Sequence, residues 1–155
     1  MNSAVRTIVT FESPAFNVSE QKPYFINPCC FGDDLANWLA AQLRKKGHQA
    51  DETAGQEDFG WFFGFEVSGM KHYFVTGYRP ADANDAGTWI GWLERRGLIR
   101  SLPGVRDREV SDRAAQAVHE VLSETPTIQN IRWHFKRHFD SGREDAGTPH
   151  PLLSQ

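Results

Sequence analysis

The residues whose types and spacing invite chemistry fall into a few short stretches. In NPCCFGDDLANWLAAQLRKKG, Asn27 to Gly47, two adjacent cysteines and two adjacent aspartates precede a helical pattern. Cys29 and Cys30 lack the two-residue gap of a thioredoxin-like motif, and no second cysteine pair completes a zinc site. A disulfide between neighbours would close a strained small ring. The pair therefore reads as small buried hydrophobes, with a thiolate activated by the helix N-terminus as the alternative. Asp33 and Asp34 read as first-turn acids complementing the helix dipole, and their charge argues against phosphate at this turn.

A second stretch, GQEDFGW, places Glu57 and Asp58 before an aromatic run. Two carboxylates suit a hard cation or acid–base work, but neighbouring side chains on an extended chain diverge. A solvated turn is the plainer reading. His134 and His138 stand four apart, yet two histidines without a third ligand make no zinc site, so no metal or cofactor is expected. His119 is expected at the surface or half-buried.

The cationic residues are more suggestive. Arg132, His134 and Lys136 alternate with Ile131, Trp133 and Phe135, which on a strand sends the two sets to opposite faces. Arg95, Arg96, Arg100, Arg106 and Arg108 crowd one loop, and such side chains hold phosphate or carboxylate bidentately. Trp89 and Trp92 point to opposite faces of one strand, so one of them should reach the outer face. Tryptophan beside arginine is the composition of binding hot spots. The competing reading is a solvated face with dispersed charge.

Local spacing along the chain defines the strands and helices that carry these groups. Val5 to Phe11 alternates as a strand. Glu12 to Phe31 is a proline-punctuated strap whose aromatics argue for packing over the core. Leu35, Trp38, Leu39 and Leu43 recur at helical spacing, so a helix is predicted from Asp33 to Lys46, closed by Gly47 at the left-handed C′ position. His48 to Gln56 suits a short edge strand. Trp61 to Val67 and Lys71 to Tyr78 make a hairpin about Ser68-Gly69, and Thr88 to Leu93 adds a strand. A second helix follows Ser111 as N-cap and ends at Pro126. Ile128 to Phe135 is the last strand, with Ile131, Trp133 and Phe135 inward. The order β-α-β-β-β-β-α-β gives an α+β two-layer sandwich: a mostly antiparallel sheet with both helices on one face. Residues 1–140 form a single domain and 141–155 a flexible tail.

Composition bounds the class. A chain of 155 residues with 12% aromatics can bury a core without a disulfide or metal staple. Residues 1–70 hold five Lys/Arg against nine Asp/Glu, and 71–155 hold twelve against eleven. Neither half has the basic excess of a dedicated nucleic-acid binder. With no apolar export signal, no membrane-length apolar run and only two cysteines, a cytoplasmic home is expected, with no membrane partner.

The pattern INPCCFGDDLANWL, GQEDFGWFF, GYRP, WIGWLERR and NIRWHFKRHFD resembles a group of small bacterial proteins without an assigned activity. The resemblance covers roughly residues 11–140. It implies a compact bacterial domain and carries no catalytic residue. The expected function is a binding or interaction module of regulatory or immunity-like kind, with another protein as partner. Its expected surface joins Arg132, His134, Lys136, Arg95, Arg96, Arg100 and Trp89 or Trp92. One alternative is a small enzyme using Glu57, Asp58 and His134. The other is capture of a small anionic ligand or nucleic acid by the Arg-rich loop.

Overall fold

A computed structural model describes residues 5–26, 30–82, 87–95 and 110–152. Its centre is one antiparallel sheet of seven strands, β1 (Ile8–Glu12), β2 (Gln49–Ala50), β3 (Gly55–Glu57), β4 (Gly60–Val67), β5 (Met70–Arg79), β6 (Thr88–Glu94) and β7 (Gln129–His134). The spatial order is β2-β4-β5-β6-β1-β7, with β3 beside β2 on the same edge of β4. Two longer helices, α1 (Asp33–Lys45) and α2 (Asp112–Ser123), pack against each other and against β4. This is the α+β sandwich the alternating pattern implies.

The core follows from that alternation. Val9 and Phe11, Trp61 to Val67 at odd positions, Phe74, Trp89, Leu93 and Trp133 meet Leu35, Leu39, Leu43, Ala114, Val118 and Leu122. Ser111 Oγ accepts from Arg113 N at 3.1 Å, which makes it the expected N-cap of α2. Positive φ at both Ser68 (53°) and Gly69 (76°) gives the turn twist that suits a two-residue hairpin.

The strap is tied to the start of α1. Asp34 Oδ2 accepts from Asn17 N at 2.7 Å, and Tyr24 donates its hydroxyl to Asp33. That bond pushes the Tyr24 phenol up to about 12. The paired aspartates thus anchor a connection as well as face the helix dipole.

Several expectations need correction. The edge segment is two short strands, β2 and β3, separated where Ala54 N donates to Asn37 of α1. His119 is buried (6% exposed), because Trp133 Nε1 donates to its Nδ1 at 3.1 Å. The last strand stops at His134. Phe135 then turns the chain into a third helix, α3 (Lys136–Asp140), and lies under the guanidiniums of Arg6 and Arg137 instead of entering the core.

Residues 141–152, expected as a flexible tail, fold back along β7. Trp133 and Thr148 exchange backbone hydrogen bonds of 2.6 and 2.9 Å, and Arg6 N donates to the carbonyl of the buried Pro151 at 2.8 Å. An edge strand presents unpaired backbone groups, and this segment pairs with them.

Candidate functional site

With α1 and α2 on one side, the outward positions of the sheet define the surface where a site can form. The pairing register lines up Phe62, Val75, Trp92, Ile8 and His134 as one row across five strands. A parallel row runs Gly77, Ile90, Thr10 and Arg132. At the centre of β4, β5 and β6 the outward residues are apolar, and charged or polar residues stand toward the strand ends. Phe62, Tyr73, Ile90 and Trp92 are half-buried, and Phe59 from the β3–β4 turn is 48% exposed. Phe59 lies 5.7 Å from Trp92 between ring centroids, and Trp92 Nε1 donates to Glu94 at 3.2 Å.

Over β1 and β7 the same face is covered by the returning C-terminal segment. His134 is 2% exposed, its Nε2 lies 2.9 Å from Thr10 Oγ1, and the Phe139 ring sits 5.4 Å away. Burial pushes its imidazole below the ordinary value, against the pull of the Glu144 carboxylate. Its Nδ1 has no hydrogen-bond partner among the described residues. A proton on Nε2, donated to Thr10, leaves only an acceptor unsatisfied there.

A polar pocket of about 220 Å³ opens beside this covered end, lined by residues of β5, β6, β1 and β7 and by Glu144. Arg79 and Glu144 close one side with a two-pronged ion pair at 2.9 and 3.0 Å. That pair holds the Glu144 carboxyl below its ordinary range.

The structure divides the residues singled out from sequence. Trp92 is the outward tryptophan. Trp89 is fully buried against Tyr78 and Phe16, so it contributes to the core and not to a surface. Arg132 is exposed at the pocket, His134 lies buried beneath the C-terminal segment, and Lys136 begins α3, where it pairs with Asp140. The expected open cationic row is therefore broken after one residue, because the strand ends and a second layer covers it. Arg95 is half-buried and lowers the pKa of His72 through its charge. Arg96, Arg100, Arg106, Arg108 and Cys29 lie outside the described residues.

Glu57 at the end of β3 and Asp58 in the turn to β4 are exposed at the opposite side of the sheet from β7. Four or five strand spacings of about 4.8 Å put His134 roughly 19 Å or more away, too far for shared acid–base chemistry. Cys30 is half-buried. It is therefore not the buried hydrophobe expected: its thiol lies 3.8 Å from the Asp58 carbonyl, and its backbone carbonyl accepts from Trp61 Nε1 at 2.8 Å.

Sequence reasoning passed over His72, Arg79 and Glu144. His72 is fully buried and accepts the Ser111 N–H on Nε2 at 3.1 Å while Nδ1 faces Met70 O at 3.1 Å. The proton therefore sits on Nδ1. A histidine from the neighbouring strand supplies what the reciprocal side chain of a capping box usually supplies. Nothing in the local pattern around position 72 signals this, since its partner lies 39 residues away.

The site and fold together define a two-layer α+β sandwich with an aromatic outer sheet face and an adjacent polar pocket. Comparison with known proteins finds no matching family model, no similar curated protein and no similar solved structure. No helix among the described residues is long and apolar enough to cross a membrane.

Proposed function

We propose that this protein is a binding module that docks another protein on the outward face of β4, β5 and β6. One observation carries the reading. An antiparallel sheet with one solvated face alternates apolar-in and polar-out, yet the central outward positions here are the half-buried Phe62, Tyr73, Ile90 and Trp92, packed around a buried Val75. Glu66, Lys71 and Glu94 edge this patch on the same strands. An apolar centre with a charged rim is the anatomy of a protein interface, and Trp and Tyr supply rigid contact area at low entropic cost. Two cysteines in the chain suit a reducing compartment for this role.

A photoreactive phenylalanine analogue placed at position 92 tests the reading in native-host cells. The expected result is a discrete crosslinked species that is lost when Tyr73→Ala is added. The same analogue at position 120, on the exposed side of α2, should give none. Equal crosslinking from both positions would sink the proposal, as would none from position 92.

A further inference from the structure

The polar pocket beside the aromatic patch has a charge arrangement that the fold does not consume. Thr10 and Thr88 line it from neighbouring strands β1 and β6. Arg79 of β5, Arg132 and Asn130 of β7, Glu12 of β1 and Glu144 of the C-terminal segment add to the lining. Its internal pairing is uneven. Arg79 and Glu144 satisfy each other through two bonds, and Thr10 is engaged with His134. Among the described residues, Arg132 makes one long bond, 3.4 Å from Nη1 to the Gly147 carbonyl. Glu12 receives one bond, on Oε2, from Asn130 Nδ2 at 2.7 Å. A guanidinium and a carboxylate thus stand on adjacent paired strands of one small pocket, and neither is used by the other.

The backbone holds one of these groups in place. Asn130 has φ of 57°, the left-handed region that side chains other than Gly, Asn and Asp rarely adopt. This conformation sits at the register shift between β1 and β7, between the Thr10–Arg132 and Glu12–Gln129 pairs. The Asn130 amide is thereby set against Glu12 and fixes the carboxylate in the pocket lining.

We propose that the pocket binds a small amino-carboxylate, a zwitterion of amino-acid size, with its carboxylate on Arg132 and its ammonium on the remaining oxygen of Glu12. The guanidinium fork matches a carboxylate in plane, and the ammonium supplies donors that Glu12 lacks. Size agrees: about 220 Å³ falls below the roughly 300–1,000 Å³ of sites for larger ligands. Charge discriminates as well. Two arginines oppose a bare amine, and Glu12 with Glu144 oppose a dianion such as phosphate. The inference is separate from protein docking, since the two side chains that would hold the ligand, Glu12 and Arg132, lie on β1 and β7 and the aromatic patch is centred on Phe62, Tyr73 and Trp92 of β4 to β6.

Titration of the ¹⁵N-labelled protein with each standard L-amino acid, acetate, ethanolamine and inorganic phosphate is the test, followed by calorimetry on whatever binds. At least one amino acid should shift the amides of Thr10, Thr88, Asn130 and Arg132. Acetate and ethanolamine should each bind about tenfold or more weakly, and Arg132→Gln and Glu12→Gln should each cost about tenfold or more. Arg132→Lys and Glu12→Asp keep the charges and should retain part of the affinity, which serves if either amide variant fails to fold. No amide shift with any amino acid would overturn the proposal. So would phosphate or acetate binding as tightly as the amino acid, or affinity undiminished in both charge variants.

Discussion

At the scale of single residues, Arg132 and His134 show how much burial changes a side chain's meaning. Two positions apart on one strand and on one face, they invite treatment as a pair. Arg132 is exposed, so Arg132→Ala should shift unfolding stability by no more than about 0.5 kcal/mol. His134→Ala removes a buried ring and its bond to Thr10, and should cost about 2–4 kcal/mol. Urea denaturation of the two variants separates them, and equal costs would contradict the covered position of His134. Gly147 makes the same point from the other side of the contact. A methyl group built there would lie 2.7 Å from His134 Nδ1, against a buried ring already held by Thr10. Gly147→Ala should therefore lose about 1–3 kcal/mol by overpacking. A denaturation midpoint equal to wild type would show that the ring yields freely.

Elements separate what local pattern encodes from what only tertiary contact decides. Both long helices, the hairpin at Ser68-Gly69, the Ser111 cap and the one-sided helix layer were legible because each is written in spacing over a few residues. Strand alternation required one of Trp89 and Trp92 to face outward but left open which; the packing of Trp89 against Tyr78 and Phe16 decides for Trp92. The C-terminal segment was not legible: GREDAGTPHPL has no periodicity, and its order comes from contacts with Trp133, Arg6 and Arg79, none of them local to it in sequence. The polar pocket was half legible for the same reason. Arg132 and His134 stood out on β7, while Glu144 and Arg79 are brought to them only by that returning chain. Deleting residues 141–155 tests this directly. A flexible tail could be removed without effect, but here the loss of the Trp133–Thr148 bonds, the Arg6–Pro151 bond and the Arg79–Glu144 pair should cost about 2 kcal/mol or more. Hydrogen exchange should also quicken at Trp133. An unchanged stability and an unchanged exchange rate would return the segment to the status of a tail.

Across the whole molecule, three buried histidines share one electrostatic situation, and together they set how stability responds to acid. His72, His119 and His134 lie on β5, α2 and β7, and burial is the largest cause lowering each of their pKa values. Arg95 lowers His72 further, His150 lowers His119, and Arg132 with Arg79 lower His134; the Glu120 and Glu144 carboxylates and the Met70 carbonyl pull the other way. Each ring therefore stays neutral in the folded chain at a pH where the unfolded chain, titrating near about 6.5, has begun to take up protons. The unfolded state then binds more protons than the folded state, so stability rises with pH through this window. It is complete above about pH 6.5 and declines as pH falls below it. The carboxylates act lower down and in opposing senses: Glu144 is held down by Arg79, so its contribution disappears as acid protonates it, while desolvation raises Asp34. The histidine window is thus separable from theirs. Protonation of His72 on Nε2 would also remove the acceptor for the Ser111 N–H, so α2 should loosen at its N-terminus first. Urea midpoints measured from about pH 8 down to about pH 5 should hold steady and then fall, with amide exchange near Ser111 accelerating ahead of global unfolding. A midpoint that stays level to pH 5, or one that rises on acidification, would mean that the three rings are not held neutral by the fold.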